Sequence, residues 1–132
     1  MTETKTQNHI TELGAVMVPV SDQDRAIDFY VEKLGFEKRS DIPFGDGNRW
    51  VEVAPAGAKT AIALVQPRPQ DPIGIETNIG LTTTDADADH AALKEKGVNV
   101  DEEVSRMGDP VPPMFWLRDQ DENVLMVVER SD

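Results

Sequence analysis

From Leu13 to Val20 apolar residues, valine foremost, alternate loosely with others, a pattern that predicts a strand. Ser21 then offers an N-cap hydroxyl, with Asp22 in the first turn and Asp24 three residues on, a relative of the capping box. Ile27, Tyr30, Val31 and Leu34 recur at helical spacing and give one apolar stripe. Gly35 is placed to end that helix in the left-handed conformation. Phe36–Ser40 reads as a second strand and Asp41–Asn48 as a loop carrying turn glycines and a proline. Trp50–Val53 and Thr60–Val65 read as two further strands, separated by the turn residues Pro55, Ala56 and Gly57.

The pattern then repeats. Gln66–Ile73 holds Pro67, Pro69 and Pro72, so it predicts a linker and excludes a helix or a central strand. Glu76–Thr83 reads as a strand, Thr84 as the cap of a helix with Asp85 and Asp87 at its positive end, and Gly97 as its stop. Ala88, Ala91 and Ala92 supply a small apolar face for that helix. Val98–Val104, Met114–Arg118 and Val124–Val128 complete the set, with a proline-rich loop at Arg106–Pro113 and a polar turn at Asp119–Asn123. A repeat of about 60 residues implies two similar halves. Each half is β-α-β-β-β, an α+β layout in which helices cover one face of each mostly antiparallel sheet, and the other face needs a partner or a ligand. The expected organisation is a flexible polar tail over 1–10 and a single domain over 11–132, with module one at about 11–66, the linker at about 66–73 and module two at about 74–129.

Composition narrows the chemistry. The chain has 132 residues and no cysteine, which removes disulfides, thiolate nucleophiles and zinc–thiolate sites. Its two histidines, His9 and His90, cannot build a histidine-rich metal site. A formal charge of −12 argues against nucleic acid and anionic membrane as partners; it reads first as a solvated acidic surface that aids solubility or suits salt, and an acidic cavity would also attract a cationic guest. No apolar run is long enough for a membrane span, and the first eight residues lack the apolar core of a secretory signal, so a cytoplasmic location is expected.

Val18-Pro19-Val20-Ser21-Asp22, Arg25-Ala26-Ile27-Asp28-Phe29-Tyr30 and Leu34-Gly35-Phe36 together resemble the vicinal oxygen chelate superfamily, which includes glyoxalase I, bleomycin-resistance proteins and extradiol dioxygenases. The resemblance covers about Leu13 to Glu129 and is renewed at Asp119-Gln120-Asp121-Glu122-Asn123. There Gln120 and Glu122 stand where the family's D-P-D-G-N turn has proline and glycine. The resemblance implies two βαβββ modules forming an incomplete barrel, with a cup that holds a divalent ion in the family's metal enzymes. It also implies a homodimer. The family's ligands, usually His, Gln or Glu, fall on Ala15, Ala63, Ile79 and Met126, and none of these supplies an oxygen or nitrogen. A one-residue shift brings in only one polar side chain, Asn78. The resemblance therefore points to a binding protein without metal or other cofactor, sequestering an aromatic or cationic compound. The alternative is a lyase, isomerase or dioxygenase that uses a divalent metal, or a metal-independent enzyme that uses Glu52 or Arg106.

Phe44, Trp50, Glu52, Arg106, Met114 and Trp116 are the candidate ligand-binding residues, because ligand sites are mostly apolar and aromatic with a few polar groups. Trp50 and Glu52 are two apart and share a strand face, whereas Phe115 and Trp116 are adjacent and point to opposite faces. Arg49 and Arg106 are the cations suited to a carboxylate, and either can instead pair with one of the many acids. Thr77 or Thr83 is positioned to add a hydroxyl beside Ile79. His90 is expected on an exposed helix face, and His9 lies in the tail.

Overall fold

The computed structural model describes residues 8–130. Most of the expected tail, residues 1–7, lies outside the described residues. The first half runs β1 (Ala15–Pro19), α1 (Gln23–Ile27), β2 (Glu37–Phe44), β3 (Asn48–Ala54) and β4 (Ala61–Val65). The helix continues beyond Ile27 as a wider π-helical segment, Asp28–Lys33, in which Leu34 N–H donates to the Phe29 carbonyl at 3.2 Å. The second half runs β5 (Glu76–Thr83), α2 (Ala86–Glu95), β6 (Asn99–Val100), β7 (Met114–Arg118) and β8 (Val124–Glu129). Each half forms one four-stranded sheet, in the orders β1-β4-β3-β2 and β5-β8-β7-β6. In each, the first and fourth strands pair in parallel and the rest antiparallel. This is the α+β pair of βαβββ modules that the sequence pattern predicts.

Several local expectations shift. Asp22, not Ser21, caps the first helix, accepting from the Asp24 and Arg25 N–H groups. Ser21 is drawn instead to Asp121, which accepts from both its N–H and its hydroxyl. Asp85, not Thr84, caps α2. The buried face of α2 is Ala86 and Leu93, while Ala88, Ala91 and Ala92 are exposed. Asp41–Phe44 is not loop but the end of β2, paired along β3. Pro43 is tolerated there because β2 is an edge strand. The strand expected over Val98–Val104 shrinks to Asn99–Val100: Asp101 N–H still donates to the Trp116 carbonyl, but Trp116 N–H is diverted to the Asp101 carboxylate at 3.1 Å, which also accepts from Arg118 at 2.9 Å. Gly35 and Gly97 end the helices at φ +77° and +85°, as their positions require.

One core serves both modules. Val18, Val51, Val53 and Leu64 of the first sheet, and Phe115, Leu117, Leu125 and Val127 of the second, join the helices through Tyr30, Ala26, Leu93 and Ala86. Burying each large aliphatic or aromatic side chain contributes about 1.5–3 kcal/mol. The polar turn Asp119–Asn123 fastens the modules together. Tyr30 donates its buried hydroxyl to Asp119 at 2.7 Å. Asn123, fully buried, donates to the Pro19 carbonyl and to Asp119, and accepts from the Gly74 and Ile75 N–H groups. Burial, with the Asp119 charge next in effect, raises the Tyr30 phenol well above its ordinary value, so it remains a donor through neutral pH. Glu122 takes φ +67°, the conformation that the usual glycine of this turn adopts without strain.

Candidate functional site

Because the shared core takes one face of each sheet, the opposite faces point away from it, and strand register fixes what they carry. Val51 and Val53 are fully buried, so their neighbours Trp50 and Glu52 lie on the outer face of β3. Glu52 pairs across to Ala63 on β4 and to Ser40 on β2, and Ala63 pairs to Met17 on β1. Ile42 and Phe44 extend the same face along β2. The outer face of the second sheet carries Met114 and Trp116 on β7, Met126 on β8 and Gly80 on β5. Both tryptophans therefore occupy the outer face of the third strand of their module.

The first face is apolar and open at its edges. Met17 is 58 % exposed, Ile42 57 % and Phe44 53 %. Ala61, Ala63 and Ala54 are small and buried between the larger side chains. Trp50 and Glu52 form a unit, with the indole N–H donating to the Glu52 carboxylate at 2.7 Å. That bond ties the indole ring to the carboxylate. A cation beside Trp50 and Glu52 meets both a π-face and a negative charge.

The six candidate residues are not walls of one pocket within a single chain. Phe44, Trp50, Glu52, Met114 and Trp116 lie on the outer faces of two different sheets. Arg106 is on neither face, since it is exposed and pairs with Asp87 on α2. Arg49 is likewise committed, bonded to both oxygens of Asp41 and to Asp24. Phe115 is core. The Thr77 hydroxyl donates to the Val124 carbonyl and accepts from Ile79 N–H, and Thr83 accepts from Asp85 N–H, so both are spent on backbone. His90 is half-buried, not exposed: its Nε2 lies 2.6 Å from the Asp101 carbonyl and its ring meets the Phe115 ring edge-on. His9 is exposed.

The Arg49 guanidinium, with help from Lys38, holds the Asp41 carboxyl down at about 2. A carboxyl that is more acidic when folded stabilises the fold above its ordinary value near 4, and the gain is lost as pH falls toward 2. Urea denaturation of the Arg49→Gln variant from pH 6 to pH 2 is expected to show a shallower fall in stability than wild type. Parallel curves would show that the pair contributes nothing.

A family model of the Glyoxalase/Bleomycin resistance protein/Dioxygenase superfamily matches residues 7–127. The chain belongs to this superfamily. Within it, the chain is similar to TnmS3, an antibiotic binding protein from Streptomyces sp. CB03234, at 39 % identity and a TM-score of 0.81, over 95 % of this chain and 100 % of that one. It is also similar to a superfamily member from Sphaerobacter thermophilus DSM 20745, at 35 % identity and a TM-score of 0.85, over 92 % and 98 % of the two chains. The Bacillus subtilis protein YurT is 34 % identical over 122 residues, 84 % of this chain and 93 % of its own.

The superfamily's metal enzymes raise the question of whether the residues here fit an ion. Ala15, Ala63 and Met126 do lie on the outer faces. Ile79 does not: it pairs with the fully buried Leu125 and packs on the core, and the outward position belongs to Gly80, opposite Met126. The substitution of Gly80 for Ile79 brings no donor. Asn78, the polar neighbour, is exposed at φ +60°, where an irregularity interrupts β5. Among the described residues no group of three or more His, Cys, Asp or Glu is arranged to hold a metal ion. The donor set does not fit a divalent cation.

Proposed function

We propose that this protein binds a small aromatic or cationic compound on the outer faces of its sheets without using a metal. The observation that carries the reading is the set of side chains at the four family ligand positions, Ala15, Ala63, Gly80 and Met126, which offer no oxygen or nitrogen. The likeness to an antibiotic binding protein supports the same class of guest. Trp50 supplies the stacking surface, Glu52 the counter-charge, and Phe44, Met114 and Trp116 further apolar wall. The net charge of −12 favours the approach of a cation.

Calorimetry of the purified protein with nickel, zinc, iron and manganese is expected to give no stoichiometric heat. Micromolar binding of any of them would favour the other reading, a lyase, isomerase or dioxygenase acting on a small carbonyl or aromatic substrate through a metal. A compound that binds should raise the melting temperature by mass action.

The site is completed in a homodimer. One chain leaves Met17, Ile42 and Phe44 uncovered and its two tryptophan-bearing faces separate, so a second copy is needed to enclose the guest. Sedimentation equilibrium of the full chain is expected to give twice the monomer mass, and a monomer at micromolar concentration would remove this part of the proposal.

A further inference from the structure

We propose a second binding site, for an amphipathic carboxylate, in the seam between the modules on the helix side of the sheets. It is independent of the reading above. A cleft of about 280 Å³ lies there, floored by Phe36 from the first module and by Leu81, Leu93 and Val127 from the second. It shares Phe36, Pro55, Leu81 and Thr82 with a neighbouring hollow of about 330 Å³ that runs along β1 and β5. Leu81 and Val127 are core-side residues of their strands, which places the floor on the opposite side of the sheet from Trp116 and Met126.

Two lysines line the cleft. Lys33 ends the first helix and Lys96 follows the second. Lys33 Nζ donates to the Lys96 carbonyl at 2.6 Å, and Lys96 Nζ donates to the Lys33 carbonyl at 3.3 Å. Each ammonium is thereby held at the other helix's end and has two further N–H donors to give. The helix-end carbonyls offset part of their charge. Asp89 is the one acid lining the cleft. Two cations that line a cleft with an apolar floor fit an anionic head with an apolar tail, in a chain whose net charge is −12. The repulsion of that net charge is screened beyond about 8 Å at physiological salt, so it does not cancel two cations in direct contact with the head group.

Titrating the full chain with octanoate, below its micellar concentration, and reading amide and indole signals by NMR tests the site. Saturable shifts at Leu81, Thr82 and Ala92 are expected, with the Trp50 and Trp116 indole signals unmoved. The Lys33→Gln/Lys96→Gln variant should bind about tenfold more weakly, and octanol should bind wild type more weakly by a similar factor. Ala92→Phe, at an exposed position of α2 beside the cleft, should block binding while leaving the melting temperature unchanged. Indole shifts at the same concentrations, an unaltered affinity in the double variant, or no saturable shift at all would each overturn the proposal.

Discussion

Replacing Asn123 by alanine is expected to cost about 3–5 kcal/mol of folding stability, a large share of the roughly 5–15 kcal/mol typical of a domain. The side chain is fully buried and makes four hydrogen bonds that join three segments distant in sequence. Alanine leaves the partly shielded Gly74 and Ile75 N–H groups and the Pro19 carbonyl without that partner and opens a cavity where the buried amide sat, and a stranded polar group costs up to about 1–3 kcal/mol. Tyr30→Phe is the milder comparison. It removes one bond to Asp119, whose carboxylate still accepts from the Asn123 amide and from the Asp121 and Asn123 N–H groups, and about 1–2 kcal/mol is expected. Urea denaturation with unchanged slopes measures both. A loss below about 1 kcal/mol for Asn123→Ala would mean that the turn is not what holds the modules together.

The second large effect concerns binding. Trp50→Ala is expected to weaken a guest of the outer face by at least about thirtyfold, since a buried aromatic anchor commonly contributes 2 kcal/mol or more. The variant also frees the Glu52 carboxylate from its indole partner. Glu52→Gln separates the two contributions. For a cationic guest it should lose affinity in step with the charge, and for a neutral aromatic one it should change little. Fluorescence or calorimetric titration of both variants with the same compound reads this directly. Undiminished binding in Trp50→Ala would place the guest elsewhere.

Ser21 and Asp22 are both good helix caps by chemistry, and Asp121, a hundred residues away, claims Ser21 and leaves Asp22 the role. Alanine gives little periodic signal, so the buried side of α2 had no strong marker in Ala88, Ala91 and Ala92, and Leu93 sets it instead. Likeness to the first strand puts Ile79 in the cup, yet the irregularity at Asn78 and the pairing with Leu125 turn it to the core. Arg106 could serve a carboxylate guest or one of the chain's own acids, and the fold brings Asp87 to it.

The chain by itself determined the two-module α+β layout, the helix-ending glycines, the shared face of Trp50 and Glu52, and the opposed faces of Phe115 and Trp116. These follow from periodicity and from the conformational freedom of glycine, which are properties of a few neighbouring residues. Tertiary structure alone decided that the helix sides of both sheets would merge into one core, with the tryptophan-bearing faces turned outward on separate sheets. It also chose which of several equivalent acids would hold Arg49 and Arg106. Burial and pairing depend on which surfaces meet, and those are brought together by contacts between residues far apart along the chain.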